Sequence, residues 1–280
     1  MAKGKNINKY SKTPLNNMML NYYVYVFSVS EFIIAHLTSF ILGGMTGLVF
    51  YSGLFKHEGY ATTATNISNG IFFCITGAIG IWFLIPLYKT SALAKRKKRI
   101  KLQFRDMLES LASSFSAGSN VLGAFTSTLA DLKIQYDEND IIIKEMQNII
   151  DGANQGIGID AMLKSFAERS QDDDIQNFVD VFEICFRQGG NMQSVVIHTH
   201  SVISEKIAVS LEIQTKLTSN KMQHDVMSVM PIAIVLMLKI TNKVFAENFT
   251  TFTGVLINTV AIAIFITAYR YGKKIINIKI

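Results

Sequence analysis

The sequence predicts an all-α membrane protein with four transmembrane helices and a cytoplasmic helical-bundle domain between the second and the third. Three observations support this class: long stretches without charged residues, apolar residues at helical spacing, and an uneven distribution of charge. Residues 106–225 contain 8 lysines and arginines against 18 aspartates and glutamates, a net charge of −10, whereas the remainder contains 19 against 3, a net charge of +16. Basic residues beside apolar stretches indicate a membrane lipid surface, and not nucleic acid, as the partner.

The N-terminal residues 1–30 are predicted to form a basic tail at the cytoplasmic membrane surface. They contain no acidic residue, and an aromatic run at 22–27 favours the membrane interface. The lysines of this tail are Lys3, Lys5, Lys9 and Lys12.

The first pair of transmembrane helices is predicted within residues 31–88. A spanning helix needs about 20 apolar residues, and residues 32–55 contain no charged side chain. A polar link at 56–70 separates them from a second span at 71–88. The pattern Gly43-x-x-x-Gly47 in the first span would allow close approach of another helix and matches a helix-dimer motif.

The second pair is predicted within residues 226–270. Its first member contains Pro231 and must extend past Lys239 to be long enough, so Lys239 is expected to snorkel to the outer surface. Its second member, residues 248–269, again lacks charged side chains.

Basic clusters follow the second and fourth spans, the latter in a tail at 271–280. The positive-inside rule therefore predicts that both termini and the central domain are cytoplasmic. The cluster after the second span comprises Lys89, Lys95, Arg96, Lys97, Lys98, Arg99, Lys101 and Arg105.

The central domain, residues 95–222, is predicted to consist of amphipathic helices. Apolar residues recur every three or four positions, which places them on one face of each helix. The three clearest stripes are Ile100, Phe104, Leu108, Leu111 and Phe115; Ile175, Phe178, Val179, Phe182 and Phe186; and Met192, Val196, Thr199, Ile203 and Ile207.

A short pattern occurs three times in this domain, at spacings of 38 and 33 residues. Each copy has a leading glycine, Asn or Gly two positions later, and apolar residues at helical spacing after that. This pattern predicts a helix, a left-handed glycine turn and a second helix, with asparagine as the cap. The candidate turn residues are Gly118, Asn120, Gly156, Gly158, Gly189, Gly190 and Asn191.

Two acidic clusters admit two interpretations. Negative charge is favourable at helix starts and aids solubility, but it could also dock a basic face of a cytoplasmic partner. The clusters consist of Asp172, Asp173 and Asp174, and of Asp137, Glu138 and Asp140.

No catalytic, cofactor-binding or metal-binding constellation is predicted. The chain contains no Gly-x-x-x-x-Gly-Lys-Ser/Thr loop. Gly156-x-Gly158-x-x-Ala161 matches a loose dinucleotide pattern, but residues 141–151 before it are expected to be helical instead of a strand. His198 and His200 are two residues apart and would lie on different sides of a helix. The chain is therefore not expected to be an enzyme.

This organisation resembles the F-domain family of type II secretion, and most closely the tight-adherence (Flp) pilus platform proteins. The residues that carry the resemblance are 104–112 (FRDMLESLA), 116–121 (SAGSNV) with 124–125, 156–163 with 166–169, and 187–192 (RQGGNM). The resemblance covers most of residues 95–270. Met162 stands where the family often has alanine.

The resemblance implies an inner-membrane platform protein of a bacterial type IV pilus or type II secretion machine. Its partners would be a hexameric cytoplasmic ATPase, pilin subunits, and a second platform protein or a second copy of this chain. Two alternatives remain at the level of sequence. One is a small transporter or regulator with a cytosolic helical sensor, and the other is a membrane enzyme.

Overall fold

The computed structural model describes residues 9–54 and 62–276, and the regular structure in these ranges is almost entirely helical, which confirms the all-α class. In chain order the elements are β1 (Tyr10–Lys12), β2 (Met18–Leu20), α1 (Val29–Tyr51), α2 (Thr63–Ser116), α3 (Val121–Gln135), α4 (Ile141–Asn154), α5 (Ile159–Ser170), α6 (Asp173–Gln188), α7 (Met192–Thr241), α8 (Lys243–Asn248) and α9 (Phe252–Ile276). Lys3 and Lys5 of the predicted tail lie outside the described residues, as do residues 277–280 of the predicted C-terminal tail.

The chain divides into two compact units. One, called here the helical domain, contains Lys89–Val209 together with the N-terminal residues through Val26. The other, called here the span unit, contains Phe27–Tyr88 and the chain from Ser210 onward.

The core of the helical domain is built from the predicted apolar stripes. Five phenylalanine side chains are completely or almost completely buried and pack against one another at ring-centroid distances of 5.5–6.2 Å. They are Phe104, Phe125, Phe166, Phe178 and Phe182. The residues of the predicted stripe in α6 are buried as far as Phe182. Phe186, the last residue of the stripe, is 38% exposed, and its ring stacks on that of Phe182.

The N-terminal segment, residues 9–26, is part of the helical domain and not a separate tail. Strands β1 and β2 form an antiparallel hairpin in which Ser11 pairs with Met19. Tyr22, the first residue of the aromatic run expected at the membrane interface, is instead 3% exposed and belongs to the domain core. The hairpin was not predicted, since strands of three residues leave little pattern in a sequence.

Within the described residues, four helical stretches are long and apolar enough to cross a membrane. They include α1 (Val29–Tyr51), part of α2 (Thr63–Ser116), the stretch Met222–Thr241 and the stretch Thr253–Gly272. The third stretch extends past Lys239, as expected from the length that a spanning helix needs. Orientation with respect to a membrane stays a prediction.

Two of these stretches belong to longer helices. Helix α2 contains both the second apolar stretch and the first stripe of the domain, with Pro86 inside it. Helix α7 likewise runs from Met192 to Thr241 with Pro231 inside it. The polar link expected at 56–70 is shorter, because α2 already begins at Thr63.

Glycines of α1 allow α2 to approach closely in the span unit. A Cβ on Gly43 would lie 2.6 Å from the carbonyl oxygen of Thr76 and 2.9 Å from the Cα of Gly80. A Cβ on Gly47 would lie 2.0 Å from the Thr76 hydroxyl oxygen. The Gly43-x-x-x-Gly47 face therefore packs against another helix of the same chain, as small residues do between membrane helices, and is not open to a dimer partner.

Lys239 interacts with protein groups of the span unit. Its ammonium group donates a hydrogen bond to the carbonyl oxygen of Val49 at 2.8 Å, in the last turn of α1. It also lies 4.9 Å from the ring centroid of Phe249. A cation is favourable at a helix C-terminus, where carbonyl groups lack helical partners, so Lys239 stabilises the end of α1.

The packing of α1 on α2 predicts opposite effects for two Gly-to-Ala substitutions. Gly43→Ala should destabilise the chain by about 1–3 kcal/mol, because backbone atoms of α2 occupy the space of the new methyl group. Gly70→Ala is the control, since a Cβ there meets nothing within 4 Å. It should be neutral or stabilise by up to about 1 kcal/mol through helix propensity. Unfolding in mild detergent measures both, and equal stability of the two variants would contradict the close packing.

Candidate functional site

The three predicted glycine turns share one geometry. Gly118, Gly156 and Gly189 have φ angles of +82°, +84° and +78°, in the left-handed region predicted for Gly118 and Gly189. In each turn the following amide donates to a carbonyl five residues earlier, at 3.2, 2.9 and 2.8 Å respectively. This bond is the mark of a Schellman motif, which satisfies the free carbonyls of a helix end. The repeated pattern therefore ends α2, α4 and α6 in the same way.

Asparagine caps the next helix in two of the three turns. The Asn120 side chain accepts a hydrogen bond from the amide of Gly123 at 2.7 Å, and that of Asn191 accepts from the amide of Ser194 at 3.0 Å. Gly158 takes the equivalent position before α5 without a side-chain cap. Gly190 is required for space, because a Cβ there would lie 3.2 Å from the Cα of Cys185.

The acidic cluster before α6 is largely used inside the domain. Asp172 caps the helix by accepting from the amides of Asp174 and Ile175. Asp174 forms ion pairs with Lys101, at 2.5 Å, and with Lys206. Burial opposes ionisation of Asp174, but the hydrogen bonds from the two lysines outweigh it and lower its pKa. Asp174 is therefore ionised at neutral pH, and the stability it contributes is lost only as the pH falls through this lowered value.

The second acidic cluster also contains one residue that binds groups of the domain, together with two that are exposed. Asp140 is buried before α4, where it forms an ion pair with Arg99 and accepts from the amide of Asp137 at 3.2 Å. The side chains of Asp137 and Glu138 are exposed. Of the six predicted docking residues, Asp137, Glu138 and Asp173 are thus exposed on the surface, while Asp140, Asp172 and Asp174 have structural roles.

The sequence did not reveal a buried ion pair between α4 and α5. Glu145 is 0% exposed and Arg169 is 2% exposed. The guanidinium group of Arg169 donates to both carboxylate oxygens of Glu145, with one bond of 2.7 Å. Tyr22 completes the cluster: its hydroxyl donates to Glu145, and its amide donates to the carbonyl oxygen of Arg169 at 2.9 Å.

The protonation states of this cluster follow from burial and charge. Burial raises the pKa of Tyr22, and the negative charge of Glu145 raises it further, so the hydroxyl remains a donor. Burial opposes the charge on Arg169, but the hydrogen bonds and charge of Glu145 prevail and raise its pKa. Arg169 therefore keeps its positive charge over the physiological pH range.

Three further contacts hold the N-terminal segment on the domain. The amide group of Asn17 donates to the side-chain oxygen of Asn148 at 2.7 Å. Arg96 donates to the carbonyl oxygen of Val24 at 3.0 Å, and its guanidinium carbon lies 5.0 Å from the ring centroid of Tyr25. One residue of the predicted basic cluster thus binds the N-terminal segment.

A sequence signal for the buried pair exists, although it is weak. Glu145 lies among Ile142, Met146 and Ile149 on the apolar face of α4, and Arg169 lies three residues after Phe166 on that of α5. A charged residue on an apolar face indicates a buried partner. The partner itself could not be identified, because it lies on a different helix.

The arrangement of these groups favours structural roles. Within residues 9–54 and 62–276, no three His, Cys, Asp or Glu side chains are placed to hold a metal ion. His200 lies near Glu109, at 4.0 Å, and no residue pairs with it to form a metal site in the described chain. No known family model, no characterised protein and no solved structure matches the chain. The resemblance to the secretion platforms therefore depends on the residues that carry it.

Removal of one member of the buried pair should destabilise the domain strongly. Glu145→Ala leaves the Arg169 charge buried without a partner, which costs about 3–5 kcal/mol. Tyr22→Phe removes one donor to Glu145 and should cost about 1–3 kcal/mol. Urea unfolding of the full chain in mild detergent measures both effects.

The control for the buried pair is an exposed one. Glu212 and Lys216 form an ion pair at 2.8 Å with side chains 65% and 75% exposed. Glu212→Ala should change the free energy of unfolding by at most about 0.5 kcal/mol. A Glu145→Ala variant as stable as Glu212→Ala would show that the buried pair is not formed.

The left-handed turn at Gly189 predicts a difference between two substitutions. No atom lies within 4 Å of a Cβ placed there, so only backbone strain is tested. Gly189→Val should destabilise by about 1–2 kcal/mol, the strain of a left-handed residue with a Cβ. Gly189→Asn should cost clearly less, because asparagine tolerates this region. The free energy of unfolding of each variant measures this difference. A Gly189→Val variant as stable as Gly189→Asn, or more stable, would contradict the turn geometry.

Proposed function

We propose that this chain is an inner-membrane platform protein of a bacterial type IV, Tad/Flp-like pilus or type II secretion machine. In this role it couples a cytoplasmic ATPase to the assembly of pilin subunits. The proposal places the helical domain and both termini in the cytoplasm, in agreement with the basic clusters after the second and fourth apolar stretches.

The observation that carries the proposal is the role of the residues on which the resemblance depends. Phe104 and Leu108 are completely buried, and Arg169 forms the buried ion pair. Gly118 and Gly189 adopt positive φ angles that few other residues tolerate. A match at such demanding positions supports a common fold more strongly than a match at surface positions would.

The helices that join the two units support a coupling role. Helix α2 contains an apolar stretch and a core stripe of the helical domain without interruption, and so does α7. A continuous helix resists bending far more than a loop does. A force on the domain can therefore pass to the apolar stretches along these helices.

The exposed acidic residues support the expected ATPase as partner. Asp137, Glu138 and Asp173 are exposed and lie at the starts of α4 and α6. Opposed charges raise the rate of association and fix orientation more than they raise affinity. A basic face of the ATPase would complement these residues.

Deletion of the gene tests the proposal. Surface pili, or secreted substrate, should disappear while pilin is still synthesised, and the full chain should restore them. Electron microscopy and pilin blots of sheared surface fractions measure this. Normal pili in the deletion strain would refute the platform role, and loss of uptake of a small molecule with intact pili would favour the transporter.

Charge variants of the same chain test the docking residues. The variant D137N/E138Q/D173N should bind the purified secretion ATPase more slowly and with weaker salt dependence. A control variant, E109Q/E168Q/E205Q, removes the same charge from other exposed positions and should associate at the wild-type rate. Equal rates for both variants would show that net charge alone, and not this surface, guides binding.

A further inference from the structure

A cleft with a volume of about 400 Å³ lies between the N-terminal segment and the helices α3 and α4. Asn17 and Met19 line it from the N-terminal segment, and Lys133 lines it from the last turn of α3. Small-molecule sites have volumes of about 300–1,000 Å³, so this cleft, called here the hairpin cleft, can hold a small organic molecule. Its α4 side consists of Ile143, Lys144, Gln147, Asn148 and Asp151.

Side chains of both charges line the hairpin cleft without neutralising one another. Lys133, Lys144 and Glu138 are exposed, and none of these three side chains forms an ion pair or a hydrogen bond with another described residue. Asp151 accepts a hydrogen bond from the Gln147 amide at 2.9 Å, which leaves other lone pairs of its carboxylate unused. Both signs of charge are therefore available to a ligand in one place.

Asn148 adds a buried hydrogen-bond donor to the hairpin cleft. This residue is 4% exposed, and its side-chain oxygen accepts from the Asn17 amide at 2.7 Å. Its own amide nitrogen has no hydrogen-bond partner among the described residues. A buried donor without an acceptor is costly, and native structures contain few of them. An acceptor atom supplied by a ligand would remove this cost.

The apolar part of the hairpin cleft is aliphatic. Met19 is half-buried and Ile143 is 3% exposed. Among the described residues that line the cleft, none is aromatic. Nucleotide bases are commonly bound by stacking on aromatic rings, so the lining favours a ligand with an aliphatic group over a nucleotide.

We propose that the hairpin cleft binds a small zwitterion with an aliphatic side chain, of the class of free amino acids and dipeptides. Lys133 and Lys144 attract its carboxylate, Glu138 and Asp151 attract its ammonium group, and the aliphatic residues contact its side chain. A simple anion or cation would leave two charges of the cleft without a counterpart. The site goes beyond the pilus role and does not depend on it.

Binding in the hairpin cleft would strengthen the attachment of the N-terminal segment. Asn17 and Met19 precede the first apolar helix, whereas the other lining residues belong to the chain after the second apolar stretch. A ligand that contacts both parts binds only when they are together, and it therefore stabilises this arrangement by mass action.

Equilibrium dialysis of the full chain in mild detergent tests the proposal. Isotope-labelled L-leucine and L-alanyl-L-leucine are the two probes, and at least one should bind saturably, with one molecule per chain. The N-acetylated and the amidated form of that probe each lack one charge. Each should compete at least about tenfold more weakly, because a hydrogen bond to a charged group is lost. Inorganic phosphate should not compete at the concentrations at which the probe does.

Three results of the dialysis would overturn the proposal. The first is the absence of saturable binding of both probes. The second is a capped form that competes as well as the probe itself, which would show that one charge suffices. The third is competition by phosphate at probe concentrations, which would show a site for simple anions.

Two double variants locate the binding site. E138Q/K144Q removes one charge of each sign from the hairpin cleft at exposed positions and should weaken binding at least about tenfold. The control, K97Q/E168Q, removes the same charges from exposed positions outside the cleft and should bind as the parent chain does. Equal affinity of the two double variants for the probe would place binding elsewhere and overturn the proposal.

Discussion

The buried Glu145–Arg169 pair is the interaction on which the arrangement of the helical domain depends. Two full charges in a dry core are tolerated only if their geometry is good and their remaining hydrogen-bonding capacity is used. Helices α4 and α5 supply the two charges, and Tyr22 supplies further hydrogen bonds from the N-terminal segment. The domain is therefore incomplete without residues that precede the first apolar helix. Any shifted packing of α4 on α5 would leave a buried charge without a partner, so the pair favours this one register.

The uneven charge distribution of the chain has a structural explanation besides membrane topology. Cations of α2 meet acidic residues at the starts of two other helices: Arg99 binds Asp140 before α4, and Lys101 binds Asp174 in the first turn of α6. Negative charge is favourable at a helix start, and the lysine or arginine compensates the carboxylate that burial would otherwise disfavour. The basic segment thus serves the fold through Arg99 and Lys101.

The sequence predicted features that arise from local patterns and missed those that arise from long-range pairing. Apolar stretches, helical stripes and the three glycine turns depend on residues within a few positions, and the asparagine caps do too. The hairpin segment depends on a contact between Tyr22 and Glu145, which are 123 residues apart, and short strands carry little periodicity. The glycine face at Gly43 was recognised as a packing surface, but spacing alone cannot tell whether its partner belongs to the same chain. The basic cluster after the second span was interpreted only as a sign of topology, although lysine and arginine are good helix formers that continue α2.

The two units are joined by long helices and one short link. The chain passes between them three times, after Val26, after Tyr88 and after Val209. Two of these passages lie inside the uninterrupted helices α2 and α7. The third is the short link between the buried Tyr22 and the start of α1 at Val29, which can extend by at most about 25 Å. Both longer passages are therefore helical instead of loops, and the N-terminal segment is fixed to the helical domain at Tyr22, seven residues before α1 begins.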